Sequence, residues 1–295
     1  MPNAEHPPVL ALDIGGSKTM VALVRGASVQ DVRTQPTAQG VNPAQWIRQA
    51  AEMAAPWRGE FGLVAAAVTG LVSQGVWSPL NPKTLQFPEF FPLQQALIEQ
   101  FACPATAMND AQAAAWGEYR FGAGKNSDMV FLTVSTGIGG GIVLQGRLHQ
   151  GRHGVAGHFG VSAATCDAGQ ETVRLEDTLS GRWMAEQAAS LGHGAMDAQQ
   201  VFASAHAGAP WAQTLVRTSA HRFAALCSHI QLVLAPDCIV LGGGIGLAPG
   251  YLQCVQEYLV RTSDALRPHL VAASLGSHAG AIGASDFATH FQHQP

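Results

Sequence analysis

Residues 107–161 read AMNDAQAAAWGEYRFGAGKNSDMVFLTVSTGIGGGIVLQGRLHQGRHGVAGHFGV. Asn109-Asp110 opens an Ala-rich helical run. An apolar strand, Met129–Val134, breaks into Ser135-Thr136-Gly137 and a glycine-rich turn, and a second apolar run leaves that turn toward Gly154-Val155-Ala156-Gly157-His158. A carboxylate, a loop of bare backbone N–H groups and a polar pocket segment are the parts of a phosphoryl-transfer centre, provided the fold brings them together.

The same logic stands at the start of the chain. Val9–Val24, VLALDIGGSKTMVALV, is a short apolar strand ending at Asp13, a Gly15-Gly16 turn, and a returning strand. Two readings stay open for it: an ordinary hairpin, or a phosphate loop whose amides and hydroxyls wrap an anion while Asp13 holds a hydrated Mg²⁺. It is not a Walker A loop, because Ser17 precedes Lys18 and no helix follows. Nor is Gly137-x-Gly139 a dinucleotide fingerprint, since Ile142 stands where a third glycine belongs and a strand follows. Two strand–turn–strand units in one chain point to two similar lobes, each lending a loop to one nucleotide.

Between and beyond these units, strands alternate with helices, the α/β pattern. Asn42–Trp57 has helical spacing and Leu63–Thr69 is an apolar strand. Gln74–Pro92 is rich in Pro and aromatics and reads as an irregular loop. Leu93–Phe101 is helical, and Ala105–Met108 is a strand ending at Asn109-Asp110. Asp110 has two readings, a helix N-cap or an acid facing the ligand crevice at the carboxyl end of a strand. Further on, a helical region runs from Leu175 to about Leu191. Leu215, Phe223, Leu226 and Ile230 mark the apolar face of a long helix over Trp211–Leu234, with Ser219 the one small polar residue in that row. Cys238–Leu241 is a buried strand, and Gly242-Gly243-Gly244 after it either turns tightly or lets a flat ligand lie on the backbone. A last helix over Gly280–Phe291 can cross back to the first lobe.

Composition narrows the field. With 295 residues, two domains are expected. Charged residues are 12% and the net charge is −4, which leaves no basic footprint for nucleic acid or an anionic membrane. No apolar run reaches the roughly 20 residues that span a bilayer. The start, MPNAEHPP, lacks a signal pattern, and the cysteines are five and widely spaced, so a reduced cytoplasmic protein is expected. His149, His153 and His158 lie on a glycine-rich segment with no Cys or carboxylate to complete a metal set.

Four motifs in order, Asp13-Ile14-Gly15-Gly16-Ser17-Lys18-Thr19, Asn109-Asp110-Ala111-Gln112, Ser135-Thr136-Gly137-Ile138-Gly139-Gly140-Gly141 and Leu241-Gly242-Gly243-Gly244, resemble the ROK (repressor, ORF, kinase) family, from about Val9 to Ala284. Within it, Asn109–Trp116, Asp128–Gly137 and Ala156-Gly157-His158 resemble the subgroup acting on N-acetylmannosamine, with His158 where most ROK hexokinases carry Glu. The resemblance implies a two-lobed actin-like (ribonuclease H-like) α/β ATPase fold with its site in the cleft between lobes 1–118 and 119–279, the last helix, about 280–295, packing back onto the first. It implies ATP with Mg²⁺, a hexosamine substrate and a homodimer. Asp110 would take the proton of the sugar's primary hydroxyl. Asn109, His158, Glu176, Gly70 and Asn81 would line the sugar. Asp13, Gly15, Gly16, Ser17, Lys18, Thr19, Thr136 and Gly137 would hold phosphates and, through Asp13 and water, Mg²⁺. Gly243 and Gly244 would lie near the adenosine. The family's DNA-binding regulators carry an N-terminal helix-turn-helix domain, and the first motif starting by Leu10 leaves no room for one.

One departure stands out. The family's zinc site uses a His three residues after the Glu/His position and a CxCGxxGC cluster. Here those places hold Val161 and Ala163–Arg174 with Cys166 alone. No structural zinc of that type is expected. Either packing holds the loop, or the sugar site has changed. Asp13, Asn109, Asp110, Thr136 and Glu176 are all present, which favours a working kinase.

Overall fold

The computed structural model describes residues 7–81, 84–164 and 173–291. They fall into two compact units, residues 1–121 with 150–156 and 277–295, and residues 122–149 with 157–276.

Unit 1 begins with an antiparallel meander, β1 (Val9–Ile14), β2 (Lys18–Arg25) and β3 (Ser28–Pro36). Helix α1 (Pro43–Ala54) follows, opened by an Asn42/Gln45 capping box, and leads to β4 (Leu63–Val68). The stretch read as an irregular loop supplies one short strand, β6 (Val76–Ser78), which pairs with β5 (Leu71–Ser73) just before it; this hairpin is fixed by Trp77, which is fully buried against Trp46 and Phe87. The aromatics that suggested a loop are its packing core. Helix α2 (Leu93–Phe101), β7 (Ala105–Asn109) and α3 (Asp110–Phe121) complete the first pass. The sheet order is β3-β2-β1-β4-β7, with β4 and β7 parallel to β1. Such central strands are covered on both faces, which is why LVAAAV of β4 is apolar throughout and wholly buried.

Unit 2 repeats this plan. Strands β8 (Met129–Val134), β9 (Ile138–Leu144) and β10 (Arg147–Leu148) form a second antiparallel meander. After a short pair, β11 (Ala163–Ala164) and β12 (Val173–Arg174), come α4 (Glu176–Leu179) and α5 (Gly181–Ser190). The sequence suggests one helix here. The chain breaks it at Ser180, whose extended backbone ends α4 and whose Oγ caps α5. Helix α6 (Ala198–His206) and the long α7 (Pro210–Leu234) lead to β13 (Cys238–Gly242), the single turn α8 (Gly243–Gly246), α9 (Tyr251–Leu259) and β14 (Leu270–Ala272). The buried face of α7 carries Leu215, Phe223, Leu226 and Ile230. Ser219 lies in that face because its Oγ donates to the Leu179 carbonyl at 2.7 Å and meets the Tyr251 hydroxyl at 2.8 Å. The sheet order is β10-β9-β8-β13-β14, with β13 and β14 parallel to β8. Order and strand directions match the first sheet position for position.

The chain returns to unit 1 as α10 (Ala279–Phe291), which packs along α3. Gly117 and Gly283 allow the helices to touch backbone to backbone. Asp286 accepts from Trp116 Nε1 at 2.8 Å and pairs with Arg120 at 3.0 Å. Against the expected lobes of 1–118 and 119–279, the boundaries fall three residues away, after Phe121 and before Ser277, and Gln150–Ala156 groups with unit 1. No helix among the described residues is long and apolar enough to cross a membrane.

Candidate functional site

In unit 1 the residues gather at the carboxyl ends of β1, β4 and β7, where loops of an open α/β sheet bind ligands. Asn109 ends β7 and Asp110 starts α3. The capping question is answered by a division of labour. Asn109 is the cap: its Oδ1 accepts from the Ala111 N–H at 2.9 Å and the Gln112 N–H at 3.0 Å. Its Nδ2 donates to the Gly70 carbonyl at 2.9 Å and to Asp110 Oδ1 at 3.0 Å. Asn109 is buried with every amide atom engaged inside the unit, so it orients Asp110. Asp110 Oδ1 also accepts from the Ala111 N–H at 2.8 Å.

Asp13, in β1, interacts electrostatically with Asp110. Burial, then the neighbouring Asp110 charge, push its carboxyl up to about 7, with Lys18 pulling the other way. Gly280, in the first turn of α10, is close enough that a Cβ there would lie 3.6 Å from Asp13 Oδ2. Two half-buried acids that interact electrostatically suit a hydrated divalent cation, which would relieve the repulsion that adds to burial in raising Asp13.

The Gly15–Thr19 turn is braced from behind. The Gly15 N–H donates to the Lys18 carbonyl, Thr37 Oγ1 donates to the Gly15 carbonyl at 2.7 Å, and Gln39 Nε2 donates to the Gly16 carbonyl at 2.9 Å. Ser17 and Lys18 are exposed. Thr19 is buried and its hydroxyl faces Thr37 at 3.0 Å, so its part is internal. A Cβ on Gly16 would lie 2.6 Å from Thr84 Cγ2, which sets this turn against the turn that starts at Asn81, whose carbonyl accepts from Thr84. Gly70 has φ of 109°, and a Cβ there would lie 2.7 Å from the Ser78 carbonyl.

In unit 2 the β8–β9 turn is tied to the start of α5. The Ser135 N–H donates to the Gly137 carbonyl, the Gly181 N–H to the Ser135 carbonyl at 2.7 Å, and the Arg182 N–H to the Thr136 carbonyl at 3.2 Å. Gly137 lies over the buried carboxylate of Glu176, with a Cβ there only 2.7 Å from Glu176 Oε2. Arg182 approaches Glu176 at 3.8 Å and pairs with Asp177 at 3.0 Å. His158 is half-buried. It follows Gly157, whose φ of 91° and close approach to the Gly140 backbone pin this end of the segment to β9. Gly243 has φ of 86° and a Cβ there would meet Thr133 Oγ1 at 2.5 Å, whereas Gly244 has open space beside it.

That space is a cavity of 820 Å³ in unit 2. Thr136, Arg182, Phe202, His206, Gly244 and Ile245 are among its lining. A mostly apolar lining with a few polar side chains suits a nucleoside with phosphates attached. Sequence reading passed over α6, which supplies Phe202 and His206. The signal was there in Asp197-x-x-Gln200, a capping box. Arg182 was passed over too, because nothing in Ser180-Gly181-Arg182 marks the ion pairs that only folding creates.

Val161, three residues beyond His158, is exposed, and Cys166 lies outside the described residues. Among the described residues no group of three or more His, Cys, Asp or Glu is placed to hold a metal ion.

Two α/β units of one strand order, each with a glycine turn after its first strand, define the actin-like ATPase class of fold. The chain belongs to the ROK family, whose sequence profile matches residues 9–290. It is 46% identical over 284 residues to the bifunctional enzyme NanE/NanK of Brucella melitensis, covering 96% of this chain and 54% of that protein. The chain thus spans about half the length of that relative. It is 41% identical over 283 residues to the N-acetylmannosamine kinase of Shigella boydii, covering 94% of this chain and 96% of that one. Among solved structures, a ROK family glucokinase from Streptomyces griseus, in complex with glucose and AMPPNP, superposes with a TM-score of 0.80 at 26% identity, over 96% and 99% of the two chains.

Proposed function

We propose that the protein transfers the γ-phosphoryl group of ATP to the 6-hydroxyl of N-acetylmannosamine. The observation that carries this reading is Asp110, an acid fixed by Asn109 at the first turn of α3 and facing Asp13. The names of the Shigella boydii and Brucella melitensis relatives supply the sugar.

The hydroxyl oxygen attacks the γ-phosphorus, the bond to the β–γ bridging oxygen breaks, and ADP leaves with that electron pair. Asp110 accepts the hydroxyl proton. It need not be strongly basic beforehand, because the hydroxyl acidifies as the new bond forms. The rest is positioning and charge neutralisation. The Gly15–Lys18 turn and Thr136-Gly137 offer backbone N–H groups to phosphate oxygens, and Gly243-Gly244 with the unit 2 cavity takes the nucleoside. Mg²⁺, when bound with the nucleotide, offsets phosphate charge, and Asp13 would hold it through water. Glu176 and His158 meet sugar hydroxyls, and Gly70 and Asn81 shape the wall beside Asp110.

The test is ADP release by the full chain with Mg-ATP and, in turn, N-acetylmannosamine, N-acetylglucosamine, glucose, mannose and fructose, before and after chelation and return of Mg²⁺ alone. Preference for N-acetylmannosamine, undiminished when Mg²⁺ alone is restored, is the expected result. Preference for another hexose overturns the choice of sugar. Binding without ADP release on every sugar overturns the enzyme in favour of a sensor. Activity that returns only with added zinc overturns zinc independence.

A further inference from the structure

Gln112 is the odd residue in the Ala-rich run that opens α3. It is fully buried, and a buried amide must find partners for two donors and an acceptor. It finds all of them on one short segment. Nε2 donates to the Gly154 carbonyl at 2.9 Å and to the Ala156 carbonyl at 2.9 Å, and Oε1 accepts from Gln150 Nε2 at 3.3 Å.

The segment Gln150–Ala156 is the piece of chain that joins unit 1 although both its neighbours in sequence belong to unit 2. It is held from a second side as well. Gly154 has φ of 72°, and a Cβ there would lie 3.2 Å from the Val72 carbonyl carbon, so the segment is wedged between α3 and strand β5. Its own turn is closed by the Ala156 N–H donating to the Gln150 carbonyl at 3.1 Å. The far end of this clamp is Ala156. Two residues on is His158, with Gly157 as the tight pivot. The near end is two residues from Asp110, on the same first turn of α3.

We propose that Gln112 is a positioning residue: it locks Gln150–Ala156 onto the helix that carries Asp110, and so fixes the point from which the chain runs on to the sugar-selecting His158. The proposal rests on the reading of Asp110 and His158 given above. Only a side chain with two donors and one acceptor at this reach satisfies the three partners. Glutamate has the same shape but turns a carboxylate toward two carbonyl oxygens. Asparagine is one methylene short.

The test compares Gln112→Glu and Gln112→Met with the parent in the full chain. Hydrogen exchange over peptides covering 150–156 reads the clamp directly, and Michaelis constants for N-acetylmannosamine and ATP read its consequence. Exchange of the segment is expected to rise about tenfold or more in both variants, and the sugar KM by about tenfold, with ATP KM and kcat changed less than about threefold. Sugar affinity of Gln112→Glu, measured by calorimetry relative to the parent, is expected to recover between pH 8 and pH 6, because a protonated carboxyl can donate to one of the two carbonyls. Gln112→Met, with nothing to titrate, shows no such recovery, and it decides the matter if the Glu variant fails to fold. A sugar KM that stays at the parental value in a folded variant overturns the proposal, as does an equal rise in both Michaelis constants. If the parent itself turns over no hexosamine, the kinase reading fails, and unchanged exchange over 150–156 would then refute the clamp on its own.

Discussion

Replacing Asp13 with Asn is expected to stabilise the metal-free protein at neutral pH, and to do so in a pH-dependent way. Asp13 stands in β1 of unit 1, half-buried and facing Asp110, and burial plus that like charge raise its carboxyl from 3.8 to about 7. A group whose folded-state value lies above its unfolded one favours the fold fully below the unfolded value, and that support is lost as pH rises through the folded value. The ordinary value is 3.8, so the loss runs from about pH 4 to about pH 7. Such a displacement corresponds to about 4 kcal/mol between the protonated and ionised forms. Partial contact with water reduces this to about 2–3 kcal/mol. Asn has the same shape and does not titrate. Thermal unfolding of both proteins in EDTA from pH 4.5 to 8 should show near-equal melting temperatures at the acid end. At pH 8 the variant should be higher by roughly 4–10 °C in the transition that reports unit 1. Mg²⁺ should raise the parent more than the variant, since only the parent presents two acids to it. A gap that does not widen with pH would refute the account of Asp13 as an acid destabilised first by burial and then by its neighbour.

Three further outcomes follow from the geometry. Asp110→Asn should lower kcat by about 10²–10⁴ with the ATP KM little changed. Its melting temperature at neutral pH should not fall below the parent's, because Asn109 and not Asp110 is the helix cap and the like charge acting on Asp13 is removed; a large loss of stability would contradict that assignment. Gly137→Ala places a methyl group 2.7 Å from Glu176 Oε2, so the carboxylate must move; sugar KM should rise about tenfold with the fold intact, checked by steady-state kinetics and circular dichroism. Gly283→Ala drives a methyl group into the Ala113 carbonyl and to 2.7 Å from the Gly117 amide, and should destabilise unit 1 by about 3 kcal/mol or more in urea unfolding.

How much of this could be read from the chain depends on the range of the interaction. The doubled strand–turn–strand pattern is local, set by apolar runs and Gly15-Gly16 and Gly139–Gly141, and it carried the fold class. The long face of α7 is local too, and its odd Ser219 was visible but not explicable until Tyr251 and the Leu179 carbonyl arrived beside it. What sequence could not divide was the pair Asn109-Asp110. Both residue types cap helices, and only the contact with Gly70, 39 residues away, shows which one does. In Gln74–Pro92 only the three-residue strand β6 escaped the sequence reading, for a related reason: its aromatics look like loop composition until Trp77 is seen packed on Trp46.

The duplication also explains the division of chemistry. In each sheet the first hairpin ends in a glycine turn at the carboxyl end of a strand that has a parallel neighbour, where open α/β sheets take their ligands. Equal topology gives two equivalent places, but the sequences at those places differ in charge. Unit 1 puts Asp13 in its first strand and Asp110 after its last, and the two acids interact electrostatically. Unit 2 has Thr133 where unit 1 has Asp13, five residues into the first strand, a glycine run after β13 where unit 1 has the Thr69-Gly70 turn after β4, and Ala273-Ser274-Leu275 after β14, with no acid to match Asp110. Without an acid there, and with Gly243 and Gly244 carrying no side chains, the equivalent place opens into a cavity of nucleoside size. One scaffold repeated, with acids in one copy and none at the matching places of the other, thus gives two equivalent places of opposite character.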